Sequence, residues 1–379
     1  MFILTDEQQE LKEYARAAAE RIFGPTAKED DEQERFRPEL LQQFGEEGFC
    51  GIPTSADFEG GGYGYFEYAL VLEEIARVSA SYGVSVAVSG LPQVILEEFG
   101  NEEQKQRWMP GLAQGTLLGG FALSEPDSGS DAASLTTTAI DEGDTYRING
   151  RKFWITHGGY ADVYVLMART GGPGPKGVSA FLLPKDTPGL SFGKKEEKMG
   201  LRASPTVEMI LDNAILPKTA RLGEEGIGFN VAMTALNSGR ITIGAISVGV
   251  AQAAIDQAAS YACIRKQFRK QIIDFQGVGF MLADMAIRTE SARMLVHKAA
   301  YLKDHGKDFK LIASMAKCSA TDVAMSVTTD AVQVFGGYGY TREYPVERYM
   351  RDAKVMQIVE GTNQVQRLVI SRELKRRYQ

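Results

Sequence analysis

The sequence predicts an α+β multidomain protein: an N-terminal helical domain (residues 1–117), a central antiparallel β domain (118–225) and a C-terminal helical bundle (226–379). Three observations lead there. Apolar residues recur at helical spacing in the first zone, short β-rich runs bounded by Gly, Pro and Asp fill the second, and long helical stretches rich in small residues make up the third.

In the first zone Thr5 with Gln8 forms a capping box, and Leu11, Ala15, Ala18, Ala19 and Ile22 follow on one helical face. FEYALVLEEIARVSASYGV keeps the same register, as does NEEQKQRWMPGLAQG behind an Asn101 N-cap. In the second zone TYRINGRKFWIT carries Asn149-Gly150, which predicts a hairpin turn. DVYVLMART, GVSAFLLPK, LSFGKK and TVEMILDNAILP read as further strands. In the third, the small residues of GFNVAMTALNSGRITIGAISVGVAQAAIDQAASYACIRKQF permit close helix–helix contact. Two more helices end at Gly306 and at the pair Gly336–Gly337, where glycine suits a C′ position.

Composition narrows the class. Apolar residues make up 44% and charged residues 24%, an ordinary globular balance. A formal charge of −7 argues against a nucleic-acid or anionic-membrane partner. Cys50, Cys263 and Cys318 are odd in number and far apart, so no disulfide framework or CxxC site follows and a reducing compartment is expected. The N-terminus turns charged and acidic within a few residues, unlike a signal peptide or organellar presequence. No apolar run approaches the ~20 residues of a membrane span. The expectation is a cytoplasmic protein with no membrane span.

Several patterns bear on chemistry. A G-x-G-x-x-G at Gly172, Gly174 and Gly177 is interrupted by prolines and followed by a strand, so it reads as a hairpin loop. There is no P-loop and no nucleophile elbow, and His157, His297 and His305 lack metal-ligand spacing. FALSEPDSGSD (121–131) is dense in hydroxyls and backbone donors, suited either to a plain β-edge turn or to a polar heterocycle or diphosphate. KFWITHG (152–158) sets Trp154 among β-formers, as core or as a flat wall for a flat ligand. RKQFRKQIIDFQ (265–276) packs four basic residues into its first six positions, a solvated helix end or a diphosphate clamp. VMQIVEGTNQVQR (355–367) holds Glu360 directly before Gly361. Taken alone, that carboxylate could be a solvated helix-end charge, an ion-pair partner of Arg351 or Arg367, or a base.

In this order FALSEPDSGSD, WIT, R-x-x-F with a later Gln, QVFGGYGY and MRDAKVMQIVEGTNQVQR resemble the acyl-CoA dehydrogenase family, most of all its short-chain, butyryl-CoA-type members, over essentially the whole chain. The resemblance implies FAD as cofactor. Phe121, Ala122, Leu123, Ser124, Gly129 and Ser130 would meet the flavin ring, Ser130 also approaching the CoA arm. Trp154, Ile155 and Thr156 would lie along it. Arg265, Phe268, Gln276, Gln333, Val334, Gly336 and Gly337 would hold the diphosphate and adenine of a neighbouring subunit's FAD, while Thr362, Asn363 and Gln364 would contact the adenosine side. Asn237 and Arg240 would line the CoA cleft, Gly361 would let backbone approach the substrate, and Glu360 would be the general base.

The implied reaction is α,β-dehydrogenation of a short-chain, branched or cyclic acyl-CoA to the 2-enoyl-CoA, as in fatty-acid β-oxidation. An electron-transferring flavoprotein would take the electrons, and a homo-oligomer, a tetramer built as a dimer of dimers, is implied. Three positions depart from the family pattern: Arg269 where Gly is usual, Asn237 for Asp, and His157 after WIT. A glutaryl-CoA-type oxidative decarboxylase needs a cation in the acyl pocket, and the stretch 81–99, read as a pocket wall, has no Arg or Lys. A flavin oxidase on the same fold is the other alternative, against which Glu360 favours a dehydrogenase; a non-enzymatic scaffold would not take up FAD.

Overall fold

The computed structural model describes residues 3–379. Helices α1 (Asp6–Ile22), α2 (Ala27–Gln33), α3 (Pro38–Glu46), α4 (Tyr65–Val78), α5 (Ala80–Phe99) and α6 (Glu102–Ala113) come first. The expected caps close two of them: Thr5 accepts from the Gln8 backbone at 3.2 Å and Asn101 from the Gln104 backbone at 2.9 Å, with reciprocal bonds from Gln8 and Gln104.

The middle of the chain forms one sheet of β1 (Gly119–Ala122), β2 (Thr138–Asp141), β3 (Thr145–Thr156), β4 (Val163–Arg169), β5 (Val178–Pro184), β6 (Leu190–Lys195), β7 (Thr206–Pro217) and β8 (Arg221–Leu222). Its order is β6-β7-β3-β2-β4-β5-β8, with β1 on β4. The ladders are antiparallel except for β1–β4 and a single β2–β4 pair, so the sheet is mixed. Central β4 is buried on both faces. Tyr164, Leu166 and Ala168 enter the larger core with the helices, and Val163, Val165 and Met167 enter a second core under α5 and α6. Period-two alternation is thus present, but it divides residues between two cores rather than between core and water.

Asn149-Gly150 is not a hairpin turn. Both residues lie within β3, at a shift in its register with β7, and the β2–β3 turn falls at Glu142–Asp144 instead. The reason is local. Asn149 accepts from the Asn213 backbone of β7 at 2.8 Å, and a Cβ on Gly150 would lie 2.4 Å from the Thr137 hydroxyl, so glycine is required for approach rather than for reversal. The glycine-rich segment 171–177 does join β4 to β5 as a hairpin loop.

The C-terminal part consists of α7 (Gly228–Ile264), a small hairpin of β9 (Lys266–Gln267) and β10 (Lys270–Gln271), then α8 (Gln276–Asp304), α9 (Lys310–Phe335), α10 (Val346–Met356) and α11 (Asn363–Tyr378). Contrary to the sequence reading, α7 is long and apolar enough to cross a membrane, but 78% of its most apolar window is buried against the rest of the chain. It is the central core helix.

A polar clamp ties α10 to the other two parts. Arg351 donates to Asp31 of α2 at 2.7 and 3.2 Å, to Glu347 at 2.6 and 2.9 Å and to the Met199 carbonyl at 3.1 Å. Buried Asp352 accepts from the Leu201 backbone at 2.6 Å. Arg351→Met strands two poorly hydrated carboxylates and is expected to cost about 3–5 kcal/mol of stability. Urea unfolding measures it, and a loss below ~1 kcal/mol, the scale of a surface pair, would contradict the clamp.

Candidate active site

Between α10 and α11 the chain turns through two residues in the left-handed region, Glu360 (φ +54°) and Gly361 (φ +85°). Gly361 adopts this freely, whereas for Glu360 it costs about 1–3 kcal/mol unless neighbours enforce it. Neighbours do. Buried Gln366 donates to the carbonyls of Glu360 (3.1 Å) and Gly361 (2.9 Å), and Lys317 of α9 donates to Gly361 O at 2.9 Å. Thr362 caps α11 by accepting from Val365 at 3.2 Å. Asn363 is wholly engaged: it accepts from Lys317 at 2.9 Å and donates to Thr321 at 2.8 Å and Asp322 at 2.7 Å. Its side chain is therefore a brace for the loop rather than free for the adenosine contact expected of it. Gln364 is exposed.

The Glu360 carboxylate rests against α7 at Gly239, where an added Cβ would lie 2.4 Å from Oε2. Oε2 is buried and has no hydrogen-bond partner. Neither arginine considered from the sequence reaches it, because Arg351 serves the clamp and Arg367 binds Asp322 at 2.7 Å. Burial raises the Glu360 pKa to about 7; the charges of Arg240 and Lys317 restrain the rise. Arg240 is buried beside the base and donates from Nη1 to Asn237 at 2.8 Å and Ser314 at 3.2 Å. The structure thus brings Asn237, Arg240, Glu360 and Gly361 together, and adds Gly239, Lys317 and Gln366, none of which sequence reasoning singled out.

A second group surrounds the end of β1. Glu125 is buried and accepts from the Thr136 backbone (2.6 Å) and hydroxyl (2.8 Å), the Thr137 backbone (2.9 Å) and Lys152 Nζ (2.8 Å). Burial alone would raise its carboxyl; Lys152 and the threonine donors instead hold it down at about 2. Lys152 also donates to Leu123 O at 3.0 Å, and Phe153 N to Ser124 O at 2.8 Å, so the 121–131 loop is pinned to β3. Ala122 and Leu123 are buried, leaving only their backbones to meet a ligand, whereas Ser130 is exposed and nothing lies within 4 Å of a Cβ built on Gly129. Phe121 and Ser124 are half-buried.

Trp154, at φ +63°, is 61% exposed, a flat apolar face turned outward. Ile155 points into the core and Thr156 is half-buried. His157 is buried: its Nδ1 lies 3.0 Å from Gly119 O, its ring stacks on Phe36, and burial lowers its pKa to about 4. It is a neutral packing residue rather than a polar element at the surface of the site.

The remaining candidates form a third group, away from the Glu360 loop. Arg265, Phe268, Val334, Gly336 and Gly337 line an open cleft of about 670 Å³ with Tyr261, Phe275 and Phe335. Gln276 begins α8 and Gln333 lies in the last turn of α9, both exposed. Phe268 (88% exposed) and Arg269 occupy the left-handed region at the tip of the β9–β10 hairpin, which explains why glycine suits position 269. Among the described residues no cluster of three or more His, Cys, Asp or Glu could hold a metal.

A helical–β–helical chain with a buried, unpartnered carboxylate oxygen and an outward indole beside a donor-rich loop fits a class, an oxidoreductase that works beside a flat redox cofactor. The chain belongs to the acyl-CoA dehydrogenase family. Residues 5–116 match that family's N-terminal domain, 120–214 its middle domain and 226–375 its C-terminal domain. It is 45% identical over 377 residues to the short-chain-specific acyl-CoA dehydrogenase of Clostridium acetobutylicum, covering 99% of this chain and 100% of that one. The butyryl-CoA dehydrogenase structure from Megasphaera elsdenii superposes with a TM-score of 0.97 at 42% identity, covering 99% of each chain. A chain in a structure concerned with the electron transferring flavoprotein of Acidaminococcus fermentans gives 0.96 at 46% identity, again covering 99% of each. The protein is an oxidoreductase acting on acyl-CoA, in a family of FAD-dependent flavoproteins. The outward Trp154, the pinned loop and the open space at Gly129 fit a flavin ring.

Gly239→Ala is expected to push the carboxylate out of its notch. A displacement near 1 Å lowers kcat/KM by about 100-fold. Steady-state assays alongside flavin content measure this, and a change within threefold would show the notch to be irrelevant.

Proposed function

We propose that the protein dehydrogenates a short-chain, branched or cyclic acyl-CoA to the 2-enoyl-CoA, with Glu360 as base. The single observation that supports this best is the Glu360 carboxylate, with Oε2 buried, unpartnered and with its pKa raised to about 7. A thioester α-proton is weakly acidic, so an ordinary carboxylate is a poor match. Burial strengthens the base while leaving a useful fraction ionised at neutral pH.

In the reaction Glu360 takes the α-proton and the electrons of that C–H bond form the new C=C. Bound FAD supplies the acceptor for the hydride that leaves the β-carbon. The Glu360 backbone N–H makes no hydrogen bond among the described residues, leaving a donor for the thioester oxygen as negative charge develops there. Gly361, lacking Cβ, allows the close approach this requires. Trp154, Thr156 and the Ser124–Ser130 loop form the wall for the ring, Asn237 and Arg240 shape the CoA cleft, and the Arg265–Gly337 group holds the distal part of a partner's cofactor. The unit boundaries fall at 117/118 and 225/226.

Helix α5 carries no Arg or Lys, which favours an uncharged acyl chain over a dicarboxylate. An electron-transferring flavoprotein is the proposed acceptor, supported by the Acidaminococcus likeness. Exposed Phe268, Phe280 and Ile287 on the hairpin and α8 support a homo-oligomer, a tetramer by the family's pattern. Three free cysteines fit a cytoplasmic setting.

Anaerobic addition of acyl-CoAs of graded length and branching tests the reading. Bleaching of bound flavin by one or more of them is expected, and none by any would refute it. Glu360→Gln is expected to keep the yellow flavin and bind substrate but lose at least about 10³-fold in turnover, the scale on which enzymes lose a positioned base. Near-normal turnover would remove Glu360 from the mechanism.

A further inference from the structure

We infer that Lys317 is a positioning residue for the base: its buried ammonium fixes the Gly361 carbonyl and, together with the Arg240 guanidinium, which likewise has no carboxylate partner, keeps Glu360 ionised near neutral pH. This rests on the reading of Glu360 as base.

The chain has two lysines that are 0% exposed, and they differ in one respect. Lys152 faces a carboxylate, Glu125, at 2.8 Å. Lys317 has no carboxylate oxygen within 4 Å among the described residues; its hydrogen bonds go to neutral oxygens, Gly361 O and Asn363 Oδ1, both at 2.9 Å. A buried ammonium without a counter-ion is costly, and such groups persist where they serve a site.

The charged and titratable groups around it narrow its role. On α9 stand Cys318 and Asp322, on α7 Arg240, on α11 Arg367, and on the loop Glu360. Asp322 is already satisfied by Arg367 (2.7 Å), Gln357 (2.6 Å) and Asn363 (2.7 Å). The Cys318 thiol is held above its ordinary range by burial, hence neutral, and Arg240 has the same sign as Lys317. Glu360 is the carboxylate left without a hydrogen-bonded partner. Burial pulls Lys317 down to about 8, so it is mostly protonated at pH 7.

A purely structural peg for Gly361 O would work as well with a neutral donor. The charge matters only if it acts on Glu360. The sign follows: a nearby cation lowers a carboxyl pKa, so removing it raises that of Glu360 and less base is ionised at acidic and neutral pH.

The test is Lys317→Gln, which keeps a donor and removes the charge, made in the full-length flavoprotein. The pH profile of kcat/KM is read together with deuterium uptake at the α-carbon of acetyl-CoA, which has no β-carbon to oxidise. The inflection of both is expected to move up by about one pH unit, giving roughly tenfold slower reaction at pH 6 with rates within ~3-fold at pH 9. An equal loss at every pH, or an unmoved inflection, would overturn the inference. Lys317→Met, close in length and uncharged, removes the same charge and is expected to shift the inflection the same way, so it decides the matter if the glutamine variant does not fold. A wild-type enzyme that neither bleaches nor exchanges any acyl-CoA would instead refute the base itself, a distinct result.

Discussion

The structure depends on holding one carboxylate oxygen, Glu360 Oε2, out of water without giving it a partner. Ordinarily such a group is hydrated or ion-paired, and an isolated buried charge responds by raising its pKa. Here the notch at Gly239 admits Glu360 Oε2, the clamp claims Arg351, and Asp322 claims Arg367, so the cations that could quench the base by direct contact are occupied. Arg240 and Lys317 remain at a distance that tempers the shift without abolishing it.

The cost of this arrangement is borne by the packing around it. Glu360 sits at positive φ, and Gln366, Lys317 and Asn363 enforce that turn from α9 and α11. The Arg351–Asp352 clamp fixes α10, which leads into the turn, against both the N-terminal helices and the segment joining β6 to β7. On the other side, the Glu125–Lys152 pair holds the loop expected to face a flavin. Two buried polar networks and one core helix therefore set the relative placement of base and cofactor loop.

Much of this was legible in the sequence, for physical reasons that are local. The capping residues Thr5 and Asn101, the glycine-rich β4–β5 loop and the helical–β–helical order all follow from short-range preferences, and Glu360 stood out through a motif. What was not legible depends on distant partners. Asn149-Gly150 has the chemistry of a turn, but Thr137 and Asn213 across the sheet make it a bulge. Trp154 and Ile155 are adjacent, yet one faces solvent and the other the core. Lys152 and Lys317 look like any surface lysines until β3 and α9 carry them inside, and the Gly239 notch exists only because a loop 121 residues later packs against it.

The most direct test is an infrared pH titration of the carboxylic-acid carbonyl band that is present in the wild type and absent from Glu360→Gln. The account predicts half-protonation near pH 7. A band that titrates near 4.5, the ordinary value for a glutamate, would mean a hydrated or paired carboxylate and would contradict it.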